Sequence, residues 1–160
     1  MSRRNAHSPI ARLAAIALAP ALALGLFAGS AGAGMVTVES PHSVAETIDR
    51  LAAAVEKAGA TVFARVDHGA GAARVGQPIG ASQLLIFGNP KLGTPVISAA
   101  PTAGLDLPLK VLAYEGPDGT VMVYHDPADL SASHGVPEDH PAIGKMTGAL
   151  GKLTGAAAAE

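Results

Sequence analysis

The sequence predicts an α+β domain: a two-layer sandwich with helices on one face of a mixed or antiparallel sheet of about five strands. Short alternating or wholly apolar runs near residues 35–39, 61–68, 83–87, 109–115 and 120–126 have the period and length of strands. Between and after them lie segments with apolar residues three and four apart, the spacing of amphipathic helices. The order is strand–helix–strand, then strand–helix–strand–strand, then helices, which packs most simply as one helical layer on one sheet.

The first residues read as an address. Arg3, Arg4 and Arg12 make a basic start, Leu13 to Phe27 is apolar, and Ala31-Gly32-Ala33 closes the run. That order is a secretory signal peptide over residues 1–33, with cleavage after Ala33. The apolar run is shorter than the roughly 20 residues that span a bilayer. Ser2-Arg3-Arg4 hints at twin-arginine export, but Asn5-Ala6-His7 lacks apolar residues, so the general route fits better. The expectation is an exported bacterial protein, periplasmic or secreted, with no membrane segment in its mature form.

Residues 34–160 form one domain in this reading, long enough for one core. They hold eight basic and thirteen acidic residues, a balance that argues against nucleic acid and against anionic membrane surfaces. There is no cysteine, which excludes disulfides, thiol catalysis and iron–sulfur chemistry. The aromatic residues of this part are Phe63, Phe87, Tyr114 and Tyr124, so the core must be mostly aliphatic.

Met35 to Glu39 alternates and reads as a half-buried strand. Ser43 and Glu46 form a capping box, and Val44, Ile48, Leu51, Ala52 and Val55 give the following helix its apolar face until Gly59 ends it. Thr61 to His68 is the second strand, with Val62, Ala64, Val66 and His68 on one face and Phe63, Arg65 and Asp67 on the other. Residues 69–82 form a glycine-rich connection with room for a helical turn over Ala70 to Val75. Gln83 to Phe87 is apolar on both faces and is placed at the centre of the sheet. Thr94 and Pro95 read as the start of a short helix stopped by Pro101. Strands four and five meet at Gly116-Pro117-Asp118-Gly119, a turn with proline and glycine in suitable positions. Asp126-Pro127 caps a short helix ending at Gly135, and Ile143, Met146, Leu150 and Leu153 mark a final amphipathic helix.

Four stretches carry a family resemblance: Asp67-His-Gly-Ala-Gly-Ala72, Leu84-Leu-Ile-Phe-Gly-Asn-Pro-Lys-Leu-Gly-Thr-Pro95, Ala103-Gly-Leu-Asp-Leu-Pro-Leu109 and Tyr124-His-Asp-Pro127. Over Val36 to Gly135 the chain resembles the family named domain of unknown function 302, for which Phe-Gly-Asn-Pro is distinctive. The resemblance implies a compact α/β domain, often exported and open to dimerisation. It implies no activity, substrate or cofactor. Tyr114 stands where the family often has Trp.

Two constellations could carry chemistry. Gly88-x4-Gly93-Thr94, between strand and helix, approaches a phosphate-binding loop but lacks the lysine between Gly93 and Thr94. A smaller anion or ligand at Asn89, Lys91 and Thr94 is the remaining binding reading; a tight structural turn is the alternative. The second constellation is Asp67-His68 with His125-Asp126. Were strands three and four parallel, both pairs would lie at one edge near Asp106 and His134 or His140, a set suited to a divalent metal or an acid–base pair. The alternative gives the aspartates to turn caps and the histidines to surface hydrogen bonds. Gly-x-Ser-x-Gly and His-Glu-x-x-His motifs are absent. The reading that fits best is a non-enzymatic exported binding or interaction module that self-associates through an apolar sheet face. A metal-binding or acid–base enzyme is the alternative.

Overall fold

The computed structural model describes residues 34–160; the leader read at residues 1–33 lies outside them. The chain runs β1 (Met35–Ser40), α1 (Val44–Lys57), β2 (Thr61–Asp67), α2 (His68–Arg74), β3 (Ser82–Gly88), α3 (Pro90–Ala99), a 3-10 helix (Pro101–Leu105), β4 (Leu109–Gly116), β5 (Gly119–His125), α4 (Asp129–His134) and α5 (Pro141–Ala158). The five strands form one sheet in the order β1-β5-β4-β3-β2, and every neighbouring pair is antiparallel. The α+β class holds, with the sheet antiparallel throughout.

Helix α1 starts as its local residues dictate. Ser43 accepts a hydrogen bond from the Glu46 N–H through its side chain. The Glu46 carboxylate does not close the capping box; it lies 3.4 Å from His42 Nδ1 and 3.5 Å from Arg50. Gly59, just past the helix, takes φ +73°, a backbone open to glycine at little cost. Because β1 and β2 occupy opposite edges, α1 must cross the sheet between them. It buries Val44, Ile48, Leu51 and Val55 against Leu85, Phe87, Val111, Ala113 and Met122, and α5 adds Leu150, Leu153 and Ala157 beside it. Arg65 of β2 reaches Asp49 of α1 at 2.6 Å, tying the far edge to the helix.

A second cluster of buried residues, including Val96, Ala103, Leu130, Ile143 and Met146, joins α3, the 3-10 helix, α4 and the start of α5. It packs the long β3–β4 connection onto the rest of the domain. That connection leaves from Gly88 and returns at Leu109, the partner of Phe87, so the chain re-enters the sheet where it left. A helix between two strands does not by itself make them parallel. Strands β3 and β4 are antiparallel, against the sequence-based expectation, and β4 rather than β3 takes the middle position.

Strand β2 departs from simple alternation. Its register to β3 shifts between Val62 and Ala64, leaving Phe63 as the extra residue of a β-bulge. Val62 stays opposite the core residue Phe87, while Ala64 and Val66 pair with Ile86 and Leu84 on the other face. The strand also stops at Asp67, which caps α2 by accepting the Ala70 N–H, so His68 begins a helix instead of ending a strand.

Phe87 is 1% exposed in the layer between sheet and helices. Phe87→Ala is expected to lower unfolding stability by about 3–5 kcal/mol. A urea titration followed by circular dichroism measures it, and a loss inside the error of the fit contradicts this packing.

Candidate functional site

The Phe-Gly-Asn-Pro motif sits where β3 turns into α3. The helix begins at Pro90, five residues before the predicted start, and Pro95 lies inside it. Asn89 is the N-cap and uses both ends of its amide. Its Oδ1 accepts the Lys91 N–H at 2.9 Å, and its Nδ2 donates to the Gly59 carbonyl at 3.3 Å. The Leu92 and Gly93 N–H groups donate to the Asn89 carbonyl, and Pro90 has no N–H. The first turn therefore offers an anion no free backbone N–H, and the glycines at 88 and 93 bound a helical turn rather than a phosphate loop. Of the three residues read as a ligand site, Asn89 and Thr94 line one pocket beside this turn, and Lys91 is not part of its lining.

The four residues Asp67, His68, His125 and Asp126 do not meet. Asp67 pairs with Gln83 at the start of β3, and Gln83 pairs with Ala113 towards the end of β4. His125, in contrast, ends β5 beside Met35, at the end of the sheet where β4 begins. The two pairs thus occupy opposite ends, because the parallel β3–β4 arrangement that would have united them is absent. Asp67 caps α2 and accepts from the Gln83 side chain at 3.2 Å. Among the described residues, no group of three or more His, Asp or Glu is placed to hold a metal ion.

The His125 end does gather polar residues. Asp106 Oδ2 lies 2.7 Å from His134 Nε2, and His134 Nδ1 lies 3.2 Å from the Thr102 hydroxyl. This chain of contacts joins the 3-10 helix to α4 across 28 residues of sequence. The hydrogen bond from His134 holds the Asp106 carboxyl below its usual range, opposed by partial burial and aided by the positive charge of Lys110. Asp126 accepts the Ala128 N–H, closing a turn ahead of α4, and the Thr147 hydroxyl, a tie to α5; the N-cap of α4 is Ala128, without a side-chain cap, and not Asp126 as its residues suggest. A pocket of about 150 Å³ is lined by Asp106, His125, Asp126 and Asp129 among others. Asp129 Oδ2 is buried without a hydrogen-bond partner among the described residues.

The sheet face away from α1 and α5 carries a continuous apolar row. Val66 pairs with Leu84, Leu84 with Leu112, and Leu112 with Val123. Ile86 and Ala64 lie one step along, with Val121 on the other side. Val66 is 39% exposed, and Leu84, Leu112 and Val123 are half-buried. Near this row the β4–β5 ladder stops at Leu112 and Val123, and a cleft of about 330 Å³ opens beyond it, bordered by Asp106, Lys110 and His125.

Residues 36–153 match the family model described as Domain of unknown function DUF302. Among curated proteins, the chain is 47% identical over 130 residues to "Fluoride-specific ion channel FluC 1" of Brucella suis, covering 79% of this chain and 51% of that protein. "Fluoride-specific ion channel FluC 2" of Brucella melitensis matches equally well, with 48% of its length covered. The chain thus spans about half the length of the curated relatives it matches. A crystal structure of an uncharacterized conserved DUF302 protein from Bacillus stearothermophilus superposes with a TM-score of 0.62 at 21% identity, covering 78% of this chain and 94% of that one. At that identity the likeness is one of fold.

Two outcomes follow from these contacts. Asn89→Ala removes a cap and the tie to Gly59 and is expected to cost about 1–2 kcal/mol in denaturant unfolding; no change would mean that the cap is dispensable. Asp106→Asn should lower unfolding stability modestly at neutral pH, by less than about 1 kcal/mol for a pair whose carboxylate is half exposed, with a correspondingly small drop in melting temperature. Since folding depresses the Asp106 titration, its contribution is present above the unfolded value near pH 3.9 and is lost as pH falls through the folded one. Parent and variant melting curves should therefore converge at low pH, and a difference that grows on acidification contradicts the pairing.

Proposed function

The chain belongs to the DUF302 family, and we propose that it is an exported, non-enzymatic interaction module that pairs with a second copy of itself through the outer face of its sheet. The observation that carries this reading is the unbroken row Val66–Leu84–Leu112–Val123 on the face opposite α1 and α5. Apolar rows of this kind are normally covered in two-layer folds with stable partners. Charge placement favours a second copy. Glu39 lies on the outer face near the β4–β5 hairpin, and Lys110 lies at the opposite end of the sheet. A two-fold axis through the Leu112 row sets the Glu39 end of one copy against the Lys110 end of the other, an isologous and self-complementary contact. Export is supported by the basic, apolar and small residues at 1–33.

The Brucella relatives are named as fluoride-specific ion channels, but they are about twice as long as the matching segment. No helix among the described residues is long and apolar enough to cross a membrane. In this reading the channel belongs to the half of those proteins that this chain does not match, and the shared half is a module attached to it.

Sedimentation velocity over a range of concentrations tests the pairing. The parent protein should move as a dimer, and Leu112→Lys, which puts a charge in the middle of the row, should move as a monomer with an unchanged far-ultraviolet circular dichroism spectrum. A parent protein that is monomeric at every concentration would overturn the reading.

A further inference from the structure

The family motif lines an apolar pocket that neither an anion site nor the outer face accounts for. Gly88, Asn89, Pro90, Gly93 and Thr94 form one wall, and Leu107 and Pro108 face them from the connection into β4. Met146 of α5, 2% exposed, makes the floor, while Phe63 and Ile97, 55% and 37% exposed, stand at the rim. Each position has a physical reason. The bulge in β2 frees Phe63 from the ladder, and its ring comes to Gly88. A Cβ at Gly88 would lie 3.3 Å from Pro108 Cβ, a tight contact, and 3.5 Å from Phe63 Cε2, an ordinary one, so the glycine sits directly beneath both rings at the strand end. At Gly93 a Cβ would meet nothing within 4 Å, and the missing side chain leaves the pocket wall open. Two large apolar side chains exposed at the rim of an apolar hollow are costly to leave in water and are typical of ligand pockets.

We propose that this pocket binds a small neutral molecule: a monocyclic aromatic or short alkyl group bearing a single hydrogen-bonding function. No charged side chain lines it, which excludes an ionic ligand, and Lys91 is not part of the wall. Its volume is about 210 Å³. Dry apolar cavities of about 150 Å³ accept benzene, and pockets for larger ligands start at about 300 Å³. The lining side chains with polar atoms are Asn89 and Thr94. Both ends of the Asn89 amide are engaged, so the Thr94 hydroxyl is the group that meets a ligand's one polar function. This site is separate from the proposed pairing face and does not depend on it.

Titration of the full chain with benzyl alcohol, and separately with 1-hexanol, followed by 1H–15N correlation spectra, tests the proposal. Saturable shifts confined to residues around Phe63, Leu92, Gly93 and Met146 are expected. Gly93→Leu should weaken binding by about tenfold or more by filling the pocket, with its spectrum otherwise native because a helical side chain there enters open space. Phe63→Ala, at an exposed position, gives a second loss of affinity should Gly93→Leu fold poorly. Absence of saturation with both alcohols, shifts spread over the whole protein, or unchanged affinity in the variants would overturn the proposal. So would pocket shifts that follow protein concentration and not alcohol, since the occupant would then be a side chain of a second copy. The Leu112→Lys sedimentation result is independent of all of these.

Discussion

The contact of α1 with the inner sheet face is the one on which the rest of this fold depends. Helix α1 joins the two edge strands, so it has to pass over every strand between them. Ile48, Leu51 and Val55 meet Leu85, Val111 and Met122 there, and these residues are almost fully buried. With no disulfide and few aromatic rings, this aliphatic layer is the main source of stability. Helix α5 completes the layer from the other end of the chain, which places all the strong packing on one side of the sheet.

Much of this was legible in the residues because the signals are local. The Ser43 cap, the stripe from Val44 to Val55 and Gly59 define α1 within seventeen residues, and the Gly116–Gly119 turn defines the β4–β5 hairpin within four. The start of α3 was not, because Asn89-Pro90 and Thr94-Pro95 are both a capping residue followed by proline. What separates them is the bond from Asn89 to the Gly59 carbonyl, 30 residues away, and no local pattern reveals it. Strand direction failed for a related reason. The second cluster, around Val96, Leu130 and Met146, folds the α3 segment back to the strand end it left, and that packing is non-local.

The candidate sites inherit the same division. Asp67 and His125 looked like partners only under a strand arrangement that the packing does not allow. Asp106 and His134 are true partners, yet 28 residues separate them, and no spacing motif marks the pair. The Phe-Gly-Asn-Pro stretch lies within the segment that matches the family, but Phe63, Pro108 and Met146, which line a pocket with it, are far from it in sequence. Gly88 lies directly against two rings that arrive from other elements, with the closer approach at Pro108.

The bulge in β2 also bears on how far association can go. An open sheet has two edges, and an unbroken, exposed edge strand is a template on which further strands can add without limit. Strand β2 is such an edge, but its ladder spacing is interrupted between Val62 and Ala64 and its hydrogen-bonding groups no longer fall in one regular series. At the other edge, β1 is six residues long and carries Glu39 near its end. Growth by strand addition is therefore discouraged at both sides, while the flat of the sheet stays available. The same irregularity that frees one aromatic ring thus blunts the edge at which strand-by-strand growth into a filament would begin.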